Sequence, residues 1–148
     1  MAFYLATYLP MTMVCFLVLS AARAHGMGED IASLRGFAKQ HKLAGLALTI
    51  SLASLAGLPL TAGFMGKFLV IFSTVLGGYY PYLAIAVIGA AAGFYYYFKV
   101  ILALYSKPQE SVPQITVPFT LLSRALLVVF TVAVIVVGLC PGIVRGWL

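Results

Sequence analysis

The chain has 148 residues, of which 64% are hydrophobic and only 8% charged, with a mean hydropathy of +1.10. Such a composition excludes a water-soluble globular domain and describes a polytopic, all-α membrane protein. The net charge of +6 is not a sign of nucleic-acid binding, because most basic residues fall in connections or at the ends of apolar runs, as cytoplasmic flanks do.

Four membrane spans are expected. Residues 3–22 are uncharged and, at about 1.5 Å per residue, about long enough to cross a hydrocarbon core of roughly 30 Å. No basic segment precedes them and no small-residue cleavage site ends them, so they read as a retained span and not as a signal peptide. Pro10 is expected to kink this span. A polar connection follows from Arg23 to Lys42, loosened by Gly26 and Gly28. Within it, Glu29 and Asp30 are expected to open a short surface helix through Leu34 and Phe37, with Lys39, His41 and Lys42 at the end that favours cations. His25 and His41 are candidate proton carriers or pH sensors, although loop histidines are usually solvated.

From Leu43 to Leu76 the only charge is Lys67. The stretch is long for one upright span and short for two. A double crossing would put the basic connection before Leu43 and the basic region from Lys99 to Arg124 on opposite sides. A single crossing gathers both on one side and leaves only Arg145 opposite. The positive-inside rule therefore favours one discontinuous span over residues 43–77, broken at 57–63, with the basic loops cytoplasmic and both chain ends outside.

The third span is expected over residues 82–105, introduced by Gly77-Gly78-Tyr79-Tyr80-Pro81 and closed at Ser106-Lys107-Pro108. Its small residues Gly89 to Gly93 offer a surface for close helix approach. Tyr95, Tyr96, Tyr97 and Tyr105 suit an interfacial aromatic belt. After Pro108, Pro113 and Pro118 the last span covers residues 121–139, aliphatic at its centre, with Pro141-Gly142 closing it. It reads as a packing helix facing lipid or a partner subunit, and Arg124 as its interfacial anchor. Cys15 and Cys140 lie far apart and without metal-ligand spacing, so neither a disulfide nor a metal site is expected.

The chemistry is concentrated at the break. Pro59 lacks a backbone donor and disfavours helical geometry at Leu58, while Gly57 and Gly63 make leaving the helix cheap. The freed backbone groups cannot face lipid and must be buried in protein or line a hydrated cavity. Lys67 follows the break and lies near the bilayer midplane. A lone ammonium there costs roughly 3 kcal/mol on insertion scales, which makes it a functional candidate. An amine whose proton affinity depends on its surroundings is a workable relay. Thr49, Ser51, Ser54 and Thr61 supply hydroxyls for a hydration path, or else bond back to their own backbone. Snorkelling is the plainer alternative for Lys67; at Lys99, nearer a helix end, relay and snorkelling both stand.

The run Leu55-Ala56-Gly57-Leu58-Pro59-Leu60-Thr61-Ala62-Gly63-Phe64-Met65-Gly66-Lys67-Phe68 closely resembles the discontinuous proton-channel helix of subunit N of proton-pumping NADH:quinone oxidoreductase, respiratory complex I. Asp30, Leu34-Arg35-Gly36 and Tyr95-Tyr96-Tyr97-Phe98-Lys99 resemble the same subunit in the same order. The related subunit L typically carries Lys then Asp after the break, and subunit M a Glu at the lysine position, so Gly66-Lys67-Phe68 fits N best.

By that resemblance, residues 1–148 form a partial membrane domain, the C-terminal part of an antiporter-like inverted-repeat fold, and correspond to the last four of about fourteen helices. Lys67 would be the lysine of the outer half-channel. The first repeat's glutamate–lysine pair has no counterpart here, so a complete proton path is not expected of this chain alone. The resemblance implies no cofactor in this chain, and NADH, FMN, iron–sulfur clusters and quinone in the parent complex. It implies as partners the remaining N-terminal part of subunit N, a subunit M-like neighbour and lipid, in a bacterial inner membrane. It leaves the electron donor and quinone type open. The alternatives are a subunit of a multisubunit cation/proton antiporter, and a non-transporting scaffold or remnant.

Overall fold

A computed structural model describes residues 2–28, 30–59, 61–107 and 117–139. Among them are six helices and no strand: α1 (Ala2–Ala24), α2 (Phe37–Gln40), α3 (Lys42–Ala56), α4 (Ala62–Leu76), α5 (Tyr80–Tyr105) and α6 (Leu121–Leu139). Helices α1, α5 and α6 are each long and apolar enough to cross a membrane. The expectations for Glu29, Leu60, Pro108, Pro113, Cys140, Pro141-Gly142, Arg145 and the two chain ends lie outside the described residues.

Helices α3 and α4 have 15 residues each, about 22 Å, too little to cross alone. Helix α5 acts as a ruler for how they are joined. Midway along α3, Thr49 Oγ1 lies 3.2 Å from the hydroxyl of Tyr105 at the end of α5. Further on, one cavity is lined by Leu55 of α3, by Lys67, Val70 and Ile71 of α4, and by Ala86, Gly89, Gly93 and Tyr97 of α5. Rising numbers along α3 and α4 thus meet falling numbers along one continuous α5. The two short helices lie one after the other and make a single discontinuous path.

Two buried clusters sit at successive levels of this bundle. Val14, Val18 and Ala22 of α1 meet Ala44, Ala47 and Leu48 of α3, Val100 and Leu104 of α5 and Leu127 of α6. At the level of the break, Met11, Leu55, Ala62 and Val134 form the second cluster. Chain direction therefore alternates, with α1 and α5 running against α3, α4 and α6. The end of α1, the start of α3, the end of α5 and the start of α6 share one end of the bundle, and Arg23, Arg35, Lys39, Lys42, Lys107 and Arg124 belong to it.

The connection before α3 departs from the expected surface helix. Residues 31–36 form turns, and helix is confined to the four residues of α2. Gly36 sits at φ 77°, a left-handed conformation that interrupts a helix. Its N–H reaches Ala103 O of α5 at 3.3 Å. Leu34, Phe37 and Ala38 are buried in the larger cluster, so the segment is a plug driven into the bundle and Lys42 already belongs to α3. Burial of the aromatic ring outweighs the helix pattern of the charges.

Candidate functional site

The end of α3 illustrates how a helix can stop inside a membrane. A helix leaves its last four carbonyls without internal partners, and in lipid each must find one. Gly57, at φ 88°, turns the chain so that its N–H approaches Ala53 O (3.2 Å) and Ser54 O (3.0 Å), and Leu58 N–H also reaches Ala53 O (3.1 Å). This is a left-handed glycine cap. The remaining two, Leu55 O and Ala56 O, accept from Lys67 Nζ at 2.7 and 3.1 Å. All four carbonyls are satisfied.

Lys67 reaches them because side chains on a helix lean towards its N-terminus. It stands in the second turn of α4, so its ammonium is directed back over the break, to the end of α3 where the helix dipole is negative. The α4 side of the break is closed too. Thr61 caps that helix, accepting from Phe64 N–H at 3.4 Å, while its hydroxyl donates to Leu58 O at 2.6 Å. Gly63 N–H donates to Ser54 Oγ at 3.2 Å, a bond across the break. Gly63 has to be glycine for steric reasons, since a Cβ would collide with Ser54 O.

Beside Lys67 a cavity of about 410 Å³ opens between α4 and α5, reaching Tyr8 of α1 and Tyr97 of α5. Its α5 wall is built from Ala86, Gly89, Ala90 and Gly93, so the small residues face this space. Lys67 is half-buried. Two of the three hydrogens of an ammonium are taken by α3, and the cavity adjoins the third.

The four candidate hydroxyls differ. Thr49 Oγ1 lies 2.7 Å from its own helix at Gly45 O, and Thr61 is used in capping. Ser54 serves the break. Ser51 is fully buried, and its hydroxyl has no partner among the described residues; the same holds for the buried hydroxyl of Thr131 on α6. Thr131 escaped sequence reasoning because it sits in an aliphatic helix, with no neighbouring polar residue to mark it. Buried hydroxyls of this kind are where ordered water is expected. Lys99 is exposed and does not line the Lys67 cavity. The two lysines are not brought together. Among the described residues no group of three or more His, Cys, Asp or Glu is placed to hold a metal.

The sequence pattern of the family described as NADH:quinone oxidoreductase/Mrp antiporter, transmembrane, matches residues 1–93, more than half of the chain. The chain belongs to this family. The matched stretch contains the break, Lys67 and every partner of its ammonium. Lys99 and α6 lie beyond it. Relatives in the NADH:quinone oxidoreductase/Mrp antiporter family include the NADH-quinone oxidoreductase subunit N of Geobacter metallireducens, 33% identical over 95% of this chain and 30% of the relative. Subunit 14 of Thermus thermophilus is 34% identical over 97% of this chain and 33% of the relative. Among solved structures, a chain of respiratory complex I from Thermus thermophilus with bound aureothin superposes with a TM-score of 0.82 at 34% identity, over 96% of this chain and 32% of that chain. The chain thus spans about a third of the length of these relatives.

Proposed function

We propose that the chain forms part of the proton-translocating subunit N of a proton-pumping NADH:quinone oxidoreductase, and supplies the outer half of its channel at Lys67. The observation that carries this reading is the pair of bonds from Lys67 Nζ to Leu55 O and Ala56 O. An ammonium makes both bonds and keeps one hydrogen for the cavity. A neutral amine has two hydrogens for the same two carbonyls, and its lone pair takes the third direction. The nitrogen therefore keeps its place in both protonation states, and a proton is exchanged on the cavity side without rebuilding the helix end. The buried, unpartnered hydroxyl of Ser51, two residues before the helix end begins, supports a hydrated approach from the α3 side.

Electron transfer belongs to the rest of the parent complex, with its NADH, FMN, iron–sulfur clusters and quinone; this chain contributes a proton site. The remaining helices of subunit N and an M-like neighbour are its partners. The membrane is a bacterial inner membrane, with the basic end of the bundle cytoplasmic, as the positive-inside rule directs. Lys67 then lies nine residues below the outer end of α4, about 14 Å, near the midplane.

The test is Lys67→Gln in the assembled complex. A glutamine still donates to a carbonyl but carries no exchangeable charge. NADH-driven proton uptake into vesicles is expected to fall roughly tenfold or more, as for loss of a proton-transferring side chain, while Lys67→Arg preserves the cap and restores little. Unchanged pumping and quinone reductase activity in Lys67→Gln would exclude a proton-transfer role. The family's own breadth supports a second reading, a subunit of a cation/proton antiporter. Sodium-dependent proton exchange without NADH oxidation would select it.

A further inference from the structure

Away from the break, the basic end of the bundle contains a groove of about 370 Å³ between the turns before α2 and the last two turns of α5. Ile31, Ala32 and Arg35 form one wall; Lys99, Leu102 and Ser106 belong to the other. The walls are pinned together by Gly36 N–H to Ala103 O (3.3 Å), and Ser106 Oγ is turned back onto the same carbonyl at 2.8 Å. Among the described residues no acidic side chain lines the groove, and neither the Arg35 nor the Lys99 side chain has a hydrogen-bond or ion-pair partner. Two cations, unneutralised among the described residues, converge on one site from separate elements.

The depth is informative. Lys99 is six residues from the end of α5, about 9 Å, and α5, with 26 residues, is about 9 Å longer than a typical hydrocarbon core. With that excess shared between the two ends, the backbone of Lys99 lies about 4–5 Å inside the hydrocarbon boundary, from which its long side chain reaches the headgroup level. Tyr95 and Ile88 lie four and eleven residues on the hydrocarbon side of Lys99, on the same face of α5, and are 71% and 69% exposed, an apolar track leading from the groove into the hydrocarbon. A soluble anion would use the cations and ignore that track. A lipid uses both.

We propose that this groove binds an anionic phospholipid, its phosphate held between Arg35 and Lys99 and an acyl chain laid along Tyr95 towards Ile88. Arg35 supplies a planar fork of donors to the phosphate oxygens, and Lys99 a point charge. A zwitterionic lipid places its own cation against the pair and binds less well. Occupancy would tie residues 31–36 to α5, and so hold the plug that closes the basic end.

Native mass spectrometry of the full chain in detergent tests this, with added phosphatidylglycerol or phosphatidylcholine of identical acyl chains. At about 1 kcal/mol per cation, the preference for phosphatidylglycerol is expected to be roughly thirtyfold. It should drop to about twofold in Arg35→Gln/Lys99→Gln and persist in Arg35→Lys/Lys99→Arg. Lys39→Gln removes an exposed charge at the same end of the bundle but outside the groove, and should change nothing. An equal loss in Lys39→Gln, or none in the double glutamine variant with unaltered circular dichroism, would overturn the proposal. Equimolar glycerol phosphate or inorganic phosphate that displaced the lipid would overturn it as well, by making the groove a soluble-anion site.

Discussion

Two of the four carbonyls that close α3 are satisfied by one side chain from another helix, and this ties stability to chemistry at Lys67. The glycines around it have distinct duties with distinct costs. At Gly63 a methyl group meets Ser54 O of the opposing helix, a contact that has no flexible partner to give way. Gly63→Ala is expected to lose about 1–3 kcal/mol, the usual cost of overpacking, measurable as a lower unfolding midpoint in detergent. At Gly57 the added Cβ would stand 3.2 Å from Lys67 Cδ and require a left-handed alanine, about 1–2 kcal/mol before any contact is counted. Gly57→Ala should therefore reduce stability by a similar amount and also displace the ammonium. Its effect on pumping is expected to exceed that of Gly63→Ala at equal loss of stability, a comparison made by assaying both at matched folded fractions. The glycines, the proline and the isolated charge were visible in the sequence because each is a local anomaly. The destination of the ammonium was not, since it depends on where an unrelated turn points its carbonyls.

At the scale of elements, α2 shows how a short segment is held by long-range contacts. His41, at the junction of α2 and α3, accepts from Val117 N–H through Nε2 at 3.2 Å and packs its ring against Phe37 and Phe119. It links the plug to the residues before α6. His41→Phe preserves the ring contacts and leaves Val117 N–H without this acceptor, so amide exchange at Val117 should accelerate, with about 1–3 kcal/mol lost if the group stays buried. Unaltered exchange would mean that the ring contacts alone secure the junction. Helix α6 was readable because its centre is a mostly aliphatic, uncharged run after three prolines; the structure adds a cap at Thr120, whose Oγ1 accepts from Ser123 N–H at 3.3 Å. The plug was misread because Asp30 and the lysines imitate the charge pattern of a helix, while what decides the segment is the burial of Leu34 and Phe37 against helices remote in sequence.

The whole bundle is strongly asymmetric in charge. Every described basic residue except Lys67 lies on or near the end where α1 finishes and α3 begins. With that end cytoplasmic, a cysteine at Lys39 in a variant lacking Cys15 and Cys140 should react with a membrane-impermeant maleimide only in inverted vesicles. One at Gly78, in the turn between α4 and α5, should react only from outside. The opposite pattern would reverse the orientation, and with it the assignment of Lys67 to the outer half. Charge counting was able to choose between one crossing and two because the apolar run is flanked by basic clusters on both sides. It carried no information on the packing order, which rests on the two buried clusters and on the antiparallel course of α5. Much of α5 faces outwards, with only Val100, Ala103 and Leu104 buried. Lipid or helices of another subunit have that face available.

The cap on α3 has a consequence for biosynthesis. Ala56 O accepts from a residue 11 positions later, so when α3 leaves the ribosome the group that completes it has not yet been made. Until Lys67 emerges, two carbonyls of the nascent helix need water or the insertion machinery as a substitute, and α3 has no stable place in lipid. The two half-helices should therefore enter the bilayer as one unit. An arrest-peptide force profile would register a single inward pull once Lys67 has cleared the translocon, in place of one for each half. Lys67→Ala should flatten that pull even in a chain that never meets another subunit.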